Sequence, residues 1–195
     1  MQDTAGADMP EDGIVGPLSL VKYHAHGTPG VPEQMIYYLK HKDDNLAFAY
    51  AGEQLSPVIC DALRGMGVPT CDLLVTYPPR RPESKRRDGF DQAEKLAKFL
   101  AKNLHGDSIS LISRVRGRTQ EQKRLTAVER TQNAAISYCL NEKKTSLVSG
   151  RVIVLVDDLY TTGATLRTCA QLLLDAGALL VVLATVGKTE GETEV

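Results

Sequence analysis

Apolar positions recur along this chain with two different periods, and their succession predicts the architecture. Residues 152–156, Val-Ile-Val-Leu-Val, form an apolar run without polar alternation, the pattern of a strand covered on both faces. After a short polar stretch, Leu166, Ala170, Leu173 and Leu174 recur at helical spacing, and Gly177 supplies the stop. Leu179 to Val186 then reads as a second buried strand. Upstream, Pro32 opens a helix carrying Met35, Ile36 and Leu39, since proline suits a first turn. A further helical pattern follows Asp43 and Asp44, with Leu46, Ala47, Tyr50, Ala51 and Leu55. Leu73 to Tyr77 is a short strand stopped by Pro78 and Pro79, and Phe90, Ala93, Leu96, Ala97 and Leu100 mark an amphipathic helix. Ile109 to Ile112 predicts one more short strand. Residues 1–20, rich in Asp, Gly and Pro, read as a loose arm, and residues 190–195 as a solvated polar tail. Strands alternating with helices at this spacing predict an α/β fold with a central, mainly parallel sheet. Ligands of such sheets bind beyond the carboxyl ends of the strands.

Composition narrows the picture modestly. The chain has 195 residues, 43% of them hydrophobic, enough for one sizeable core. A net charge of −1 gives no general affinity for nucleic acid. Cys60, Cys71, Cys139 and Cys169 are scattered without a CxxC pair, which argues against a zinc ribbon or a disulfide framework. They read as reduced, mostly buried thiols of a cytoplasmic protein. No apolar run approaches a membrane span, and the amino terminus carries no secretory pattern.

The densest chemistry follows the 152–156 strand. Asp157 and Asp158 lie at its carboxyl end; after Leu159 and Tyr160 comes Thr161-Thr162-Gly163-Ala164-Thr165, and the helix begins at once. Unpaired N–H groups and the helix dipole favour a phosphate at such a point. Thr161, Thr162 and Thr165 add hydroxyls, and Gly163 lets the backbone curl around an anion without a Cβ in the way. The two carboxylates would repel a phosphate but can accept hydrogen bonds from the diol of a sugar. Two other readings exist: an acid pair also opens the receiver fold of phosphorelay proteins, and aspartates also cap helices. The first needs more chain after Asp158, and the second does not explain three threonines.

A second region is set apart by charge. Residues 80–130 hold fourteen Lys and Arg against seven Asp and Glu, so the rest of the chain is acidic. Arg80, Arg81, Lys85, Arg86 and Arg87 follow the strand at 73–77 and would lie at the same sheet edge as the Thr-rich turn. There they can bind pyrophosphate and stabilise it as a leaving group; a solvated basic loop and contact with single-stranded nucleic acid are the alternatives. Few aromatics lie nearby for base stacking, Tyr77 and Phe90 being the nearest. His24 and His26 flank Ala25, but with no third ligand they read as loop histidines, and His41 and His105 as surface residues.

Strand, acid pair, spacer and Thr-rich turn closely resemble the phosphoribosyl pyrophosphate (PRPP) signature of type I phosphoribosyltransferases. The box at 86–92, Arg-Arg-Asp-Gly-Phe-Asp-Gln, further resembles the Arg-Gly-Phe-Asn-Gln box of the ComF family, associated with DNA uptake in competent bacteria. Arg114, Thr119, Gln122, Leu125, Thr126, Glu129, Arg130 and Asn133 resemble another segment of that family, and Tyr23 and Leu39-Lys40-His41-Lys42 resemble its leading part. The resemblance implies a phosphoribosyltransferase domain over residues 21–189, with a flap over the ligand.

It also implies roles. Asp157 and Asp158 would hold the ribose and, through ribose or water, a Mg²⁺ ion; Thr161, Thr162, Gly163, Ala164 and Thr165 would hold the 5′-phosphate. Tyr77, Pro78 and Arg80 would form the pyrophosphate loop, with Arg86, Arg87 and Arg114 as further ligand contacts and residues 114–130 as the flap. Two departures stand out: the family's leading four-cysteine zinc module has no counterpart, and Asp91 replaces the usual Asn. Purine-salvage relatives place an acidic residue where this chain has Thr161, so the base that would activate an acceptor has no obvious occupant. Two functions follow: transfer of phosphoribosyl to an unknown nucleophile with release of pyrophosphate, or binding of PRPP or a nucleotide by an accessory of DNA uptake. The family also implies a homodimer.

Overall fold

The computed structural model describes residues 9–23, 30–115 and 137–189. His24, His26 and the family-like positions from Thr119 to Asn133 lie outside them.

The unalternating run at 152–156 becomes the middle of a sheet. Strand β6 (Val152–Tyr160) pairs in parallel with β7 (Leu180–Thr189) on one side and β2 (Leu74–Thr76) on the other. Outside them lie β1 (Ile14–Tyr23), parallel to β7, and β3 (Asp107–Ser108), parallel to β2, in the order β1-β7-β6-β2-β3. Side chains alternate between faces. Val154, Val156, Val182, Ala184 and Val186 enter a core built with α1 (Val31–His41), α2 (Asn45–Gly65) and α4 (Gln92–Asn103). Ile153, Leu155, Val181 and Leu183 enter a second core with Leu166, Cys169, Ala170 and Leu173 of α5 (Ala164–Asp175). Both faces of the sheet are therefore covered, which is why its central strands carry no polar alternation.

Gly52 permits the closest packing between α2 and α4. A Cβ there would meet the backbone of Phe99 and Leu100 at 3.0 Å.

Several elements depart from the sequence reading. Residues 14–20 belong to β1 and not to an arm, because Ile14, Val15, Leu18 and Leu20 pack on the cores while the backbone is paired to β7. The polar stretch after Pro79 is not a loop but the short helix α3 (Pro82–Asp88). Its determinants are local: Pro82 at the first turn, Glu83 near the positive end, Lys85, Arg86 and Arg87 near the negative end, and Gly89 in the left-handed region as stop. Residues 109–111 of the strand predicted at 109–112 are not strand but link β3, which ends at Ser108, to β4 (Ile112–Arg114), and β4 pairs antiparallel with β5 (Tyr138–Leu140) as a separate small sheet. Only Cys169 is fully buried; Cys60 and Cys139 are half-buried and Cys71 is exposed. Among the described residues no helix is long and apolar enough to cross a membrane.

Candidate functional site

At the carboxyl ends of β2 and β6 lies a cavity of about 390 Å³. It is lined by Lys40, Pro78, Pro79, Arg80, Arg81, Ser84, Asp91, Gln92, Ala93, Arg114, Tyr138, Asp157, Asp158 and Thr165. The topology explains the meeting: neighbouring parallel strands end together, so the loops that leave them face one another.

Asp157 and Asp158 are the last polar residues of β6 before it turns away, both partly buried. Asp157 Oδ1 accepts the Asp158 backbone N–H at 2.8 Å. Burial, then the charge of Asp158, pushes the Asp157 carboxyl well above the usual carboxylate range. The negative charge of Asp157 is therefore disfavoured at the cavity wall.

The Thr-rich turn begins two strand residues later, after Leu159 and Tyr160. Thr161 and Thr162 are exposed, and Gly163, at φ 73°, caps α5. A Cβ on Gly163 would lie 2.0 Å from the Tyr160 hydroxyl, so Tyr160 packs directly beneath the turn and only glycine fits above it. Thr162 Oγ1 accepts the Ala164 N–H at 3.4 Å, and Thr165, in the first turn of α5, reaches the cavity.

On the opposite wall the 78–80 loop is held by two side chains. Asp91 caps α4 by accepting the Glu94 N–H at 3.2 Å, and its other oxygen accepts the Arg80 N–H at 3.3 Å. Arg114 Nε donates to the Pro79 carbonyl at 3.0 Å, while its Nη2 donates to the Tyr138 hydroxyl at 2.8 Å. The Arg80 guanidinium, 27% exposed, pairs with Asp88 at 2.7 Å. Hydrogen bonds from Arg87 and Arg80 hold the Asp88 carboxyl down, to about 2. Gln92 donates to the Lys40 carbonyl at 2.8 Å and so ties α4 to α1, which brings Lys40 to the rim.

Of the residues singled out from sequence as ligand contacts, Asp157, Asp158, Thr165, Pro78, Arg80, Arg81 and Arg114 share this cavity. Thr161, Thr162, Gly163 and Ala164 form the adjoining turn without lining it. Tyr77 is buried behind the loop, and burial raises its phenol. Arg86 and Arg87 do not line this cavity: they lie 74% and 72% exposed on α3, paired to Glu83 and Asp88. Once α3 forms, its helical rotation turns Arg86 and Arg87 outward while Ser84 faces in. Tyr138 escaped the sequence reading altogether. Its signal was a short alternation, Ile136, Tyr138 and Leu140, with the period of a strand.

A parallel sheet with an acid pair at the end of its middle strand and a glycine-containing, threonine-rich turn after it defines a phosphoribosyltransferase-type domain. The chain belongs to the phosphoribosyl transferase domain family, whose model matches residues 87–194. It is 36% identical over 105 residues to competence protein ComFC of Bacillus subtilis (strain 168), covering 54% of this chain and 39% of that protein. Over 124 residues it is 36% identical to DNA utilization protein YhgH of Escherichia coli (strain K12), covering 63% and 52%. These relatives bear out the ComF resemblance, and the chain spans about half the length of the curated relatives it matches. Among solved structures, the glutamine PRPP amidotransferase from B. subtilis complexed with ADP and GMP aligns with a TM-score of 0.47 at 17% identity, over 75% of this chain and 30% of that one.

Proposed function

We propose that the cavity binds PRPP and that the protein transfers its phosphoribosyl group to a nucleophile, releasing pyrophosphate. The observation that carries this reading is the convergence of Asp157, Asp158 and Thr165 with Arg80 and Arg114 on one cavity. The diol of the ribose sits on Asp157 and Asp158, the 5′-phosphate on the turn from Thr161 to Thr165, and the pyrophosphate on the 78–80 loop.

Departure of pyrophosphate from C1′ leaves positive charge on the sugar and gathers negative charge on the leaving oxygens. The carboxylates of Asp157 and Asp158 favour the first, and the guanidinium groups of Arg80 and Arg114 the second. Mg²⁺ suits the same place, because that ion takes one or two carboxylates together with water and phosphate oxygens and needs no protein cage. The partly buried pair Asp157 and Asp158 fits that requirement and would hold the ion through ribose or water. Bound there, Mg²⁺ would supply charge neutralisation for the leaving pyrophosphate.

The test is calorimetric titration of PRPP with Mg²⁺ into the protein and into an Asp157→Asn, Asp158→Asn double variant. Saturable binding lost in the double variant supports the reading, and a wild-type protein that takes up no heat from PRPP overturns it. A second reading draws on the names of the relatives, a competence protein and a DNA utilization protein. In it the same site binds PRPP without turnover and the protein serves DNA uptake in the cytoplasm. Binding without pyrophosphate release across a panel of amine, base and phosphate acceptors favours that reading.

A further inference from the structure

Arg114 and Tyr138 stand face to face on the two strands of the small sheet, paired across β4 and β5. The pair closes one wall of the cavity between the 78–80 loop and the Thr-rich turn. The phenol is buried, yet it lines the cavity, and the Thr165 side chain bears on it directly. Its oxygen accepts Nη2–H of Arg114 at 2.8 Å, and the guanidinium carbon lies 4.8 Å from the ring centroid.

A phenol has one proton to give. With its oxygen occupied as acceptor by a cation, that proton is polarised and free to point away from Arg114. Burial keeps it in place, since the Tyr138 phenol is raised above its ordinary value. The Thr165 side chain, in the first turn of α5, hydrogen-bonds the same phenol, so Tyr138 sits beside the point where a phosphate is favoured by the helix end.

Resting on the PRPP reading above, we infer that Tyr138 is a further ligand-positioning residue, whose hydroxyl donates to the 5′-phosphate and whose donor strength is set by Arg114. Through the other arm of Arg114, on the Pro79 carbonyl, the same wall stays anchored to the pyrophosphate loop. Removing the hydroxyl therefore acts on one end of the ligand. The selectivity for a 5′-phosphorylated sugar falls, while the 78–80 loop keeps its hold on pyrophosphate through Asp91 and the Pro79 contact.

Ribose 5-phosphate and inorganic pyrophosphate, each with Mg²⁺, are titrated separately into the full chain and into Tyr138→Phe. Loss of a hydrogen bond to a charged group weakens ribose 5-phosphate about tenfold or more, while pyrophosphate changes less than about twofold. Retained pyrophosphate binding also shows that the variant is folded. Equal weakening of both ligands marks a merely structural phenol and overturns the assignment, as does unchanged ribose 5-phosphate binding. Wild-type protein that binds neither ligand overturns the assignment together with the function on which it rests. A measurement that needs no variant to fold is ¹³Cζ-tyrosine NMR of the wild type. The Tyr138 resonance moves with ribose 5-phosphate and stays in place with pyrophosphate; the reverse pattern refutes the inference.

Discussion

The carboxylate of Asp91 joins the start of α4 to the 78–80 loop, accepting the Arg80 N–H with one oxygen and the Glu94 N–H with the other. The departure from the family box at this position thus has a use: both oxygens are acceptors, and both are engaged. Asparagine caps a helix as well as aspartate does, but offers only one acceptor. Asp91→Asn is expected to keep the cap and lose the Arg80 contact, at a cost of about 1 kcal/mol, whereas Asp91→Ala loses both and costs about 2 kcal/mol. Urea denaturation of the two variants checks the order; equal losses would show that the Arg80 contact contributes nothing.

Asp157 gives the protein a pH dependence of definite sign. Its carboxyl titrates well above the ordinary aspartate value of 3.8 because burial and Asp158 disfavour its charge. The folded chain therefore holds this proton more tightly than the unfolded chain. Below pH 3.8 both states are protonated and the site costs nothing. The cost grows as pH rises through the raised value and is fully present above it. Asp157→Asn, whose amide oxygen can still accept the Asp158 N–H, is expected to melt higher than wild type at pH 7 while losing PRPP binding. The two proteins should converge toward pH 4, and a melting difference constant across that range contradicts the assignment.

Gly163 and Tyr160 form a second coupled pair. Gly163→Ala puts a Cβ in the left-handed region and into the Tyr160 ring, with the hydroxyl at 2.0 Å and Cζ at 2.2 Å. Strain alone costs about 1–2 kcal/mol, and displacement of Tyr160 distorts the 161–165 turn as well. The variant should lose ribose 5-phosphate binding more than pyrophosphate binding. Because the clash is with the ring and not only the hydroxyl, Gly163→Ala with Tyr160→Leu should recover part of the binding, and Gly163→Ala with Tyr160→Phe should not. Calorimetry on the three variants distinguishes them.

The sheet and the acid pair were legible because their signals are local and dense: an unalternating apolar run, two carboxylates and a glycine turn within fourteen residues of Val152. β1 was not, because Asp, Gly and Pro around residues 10–17 carry a loop composition, and only pairing with β7 makes residues 14–20 a strand. Tyr138 was hidden for the same reason. Its place depends on the antiparallel partner Arg114, which lies 24 positions away. The charge cluster at 80–87 was visible, but which cations face inward is set by the rotation of α3 and by the Asp88 and Asp91 partners, long-range facts that composition does not contain.

The arginines near the cavity fall into two classes with different expected behaviour. Arg80 and Arg114 line the cavity, whereas Arg86 and Arg87 extend into solvent from α3. Arg80→Ala and Arg114→Ala each remove a charged donor from the anion site and should weaken pyrophosphate by about tenfold or more. Arg86→Ala should leave it within about twofold, since an exposed pair contributes little. Arg87→Ala is the sharper control, because Arg87 shares Asp88 with Arg80. Freed of that competitor, Asp88 can hold Arg80 more firmly, so pyrophosphate binding should stay the same or fall slightly. Asp88→Asn has the opposite effect: it releases the Arg80 guanidinium toward the ligand and should tighten pyrophosphate binding about threefold at low salt, with the gain shrinking as ionic strength rises. Titrations of pyrophosphate at two salt concentrations read out all five variants, and tight binding that survives Arg80→Ala would move the pyrophosphate site away from the 78–80 loop.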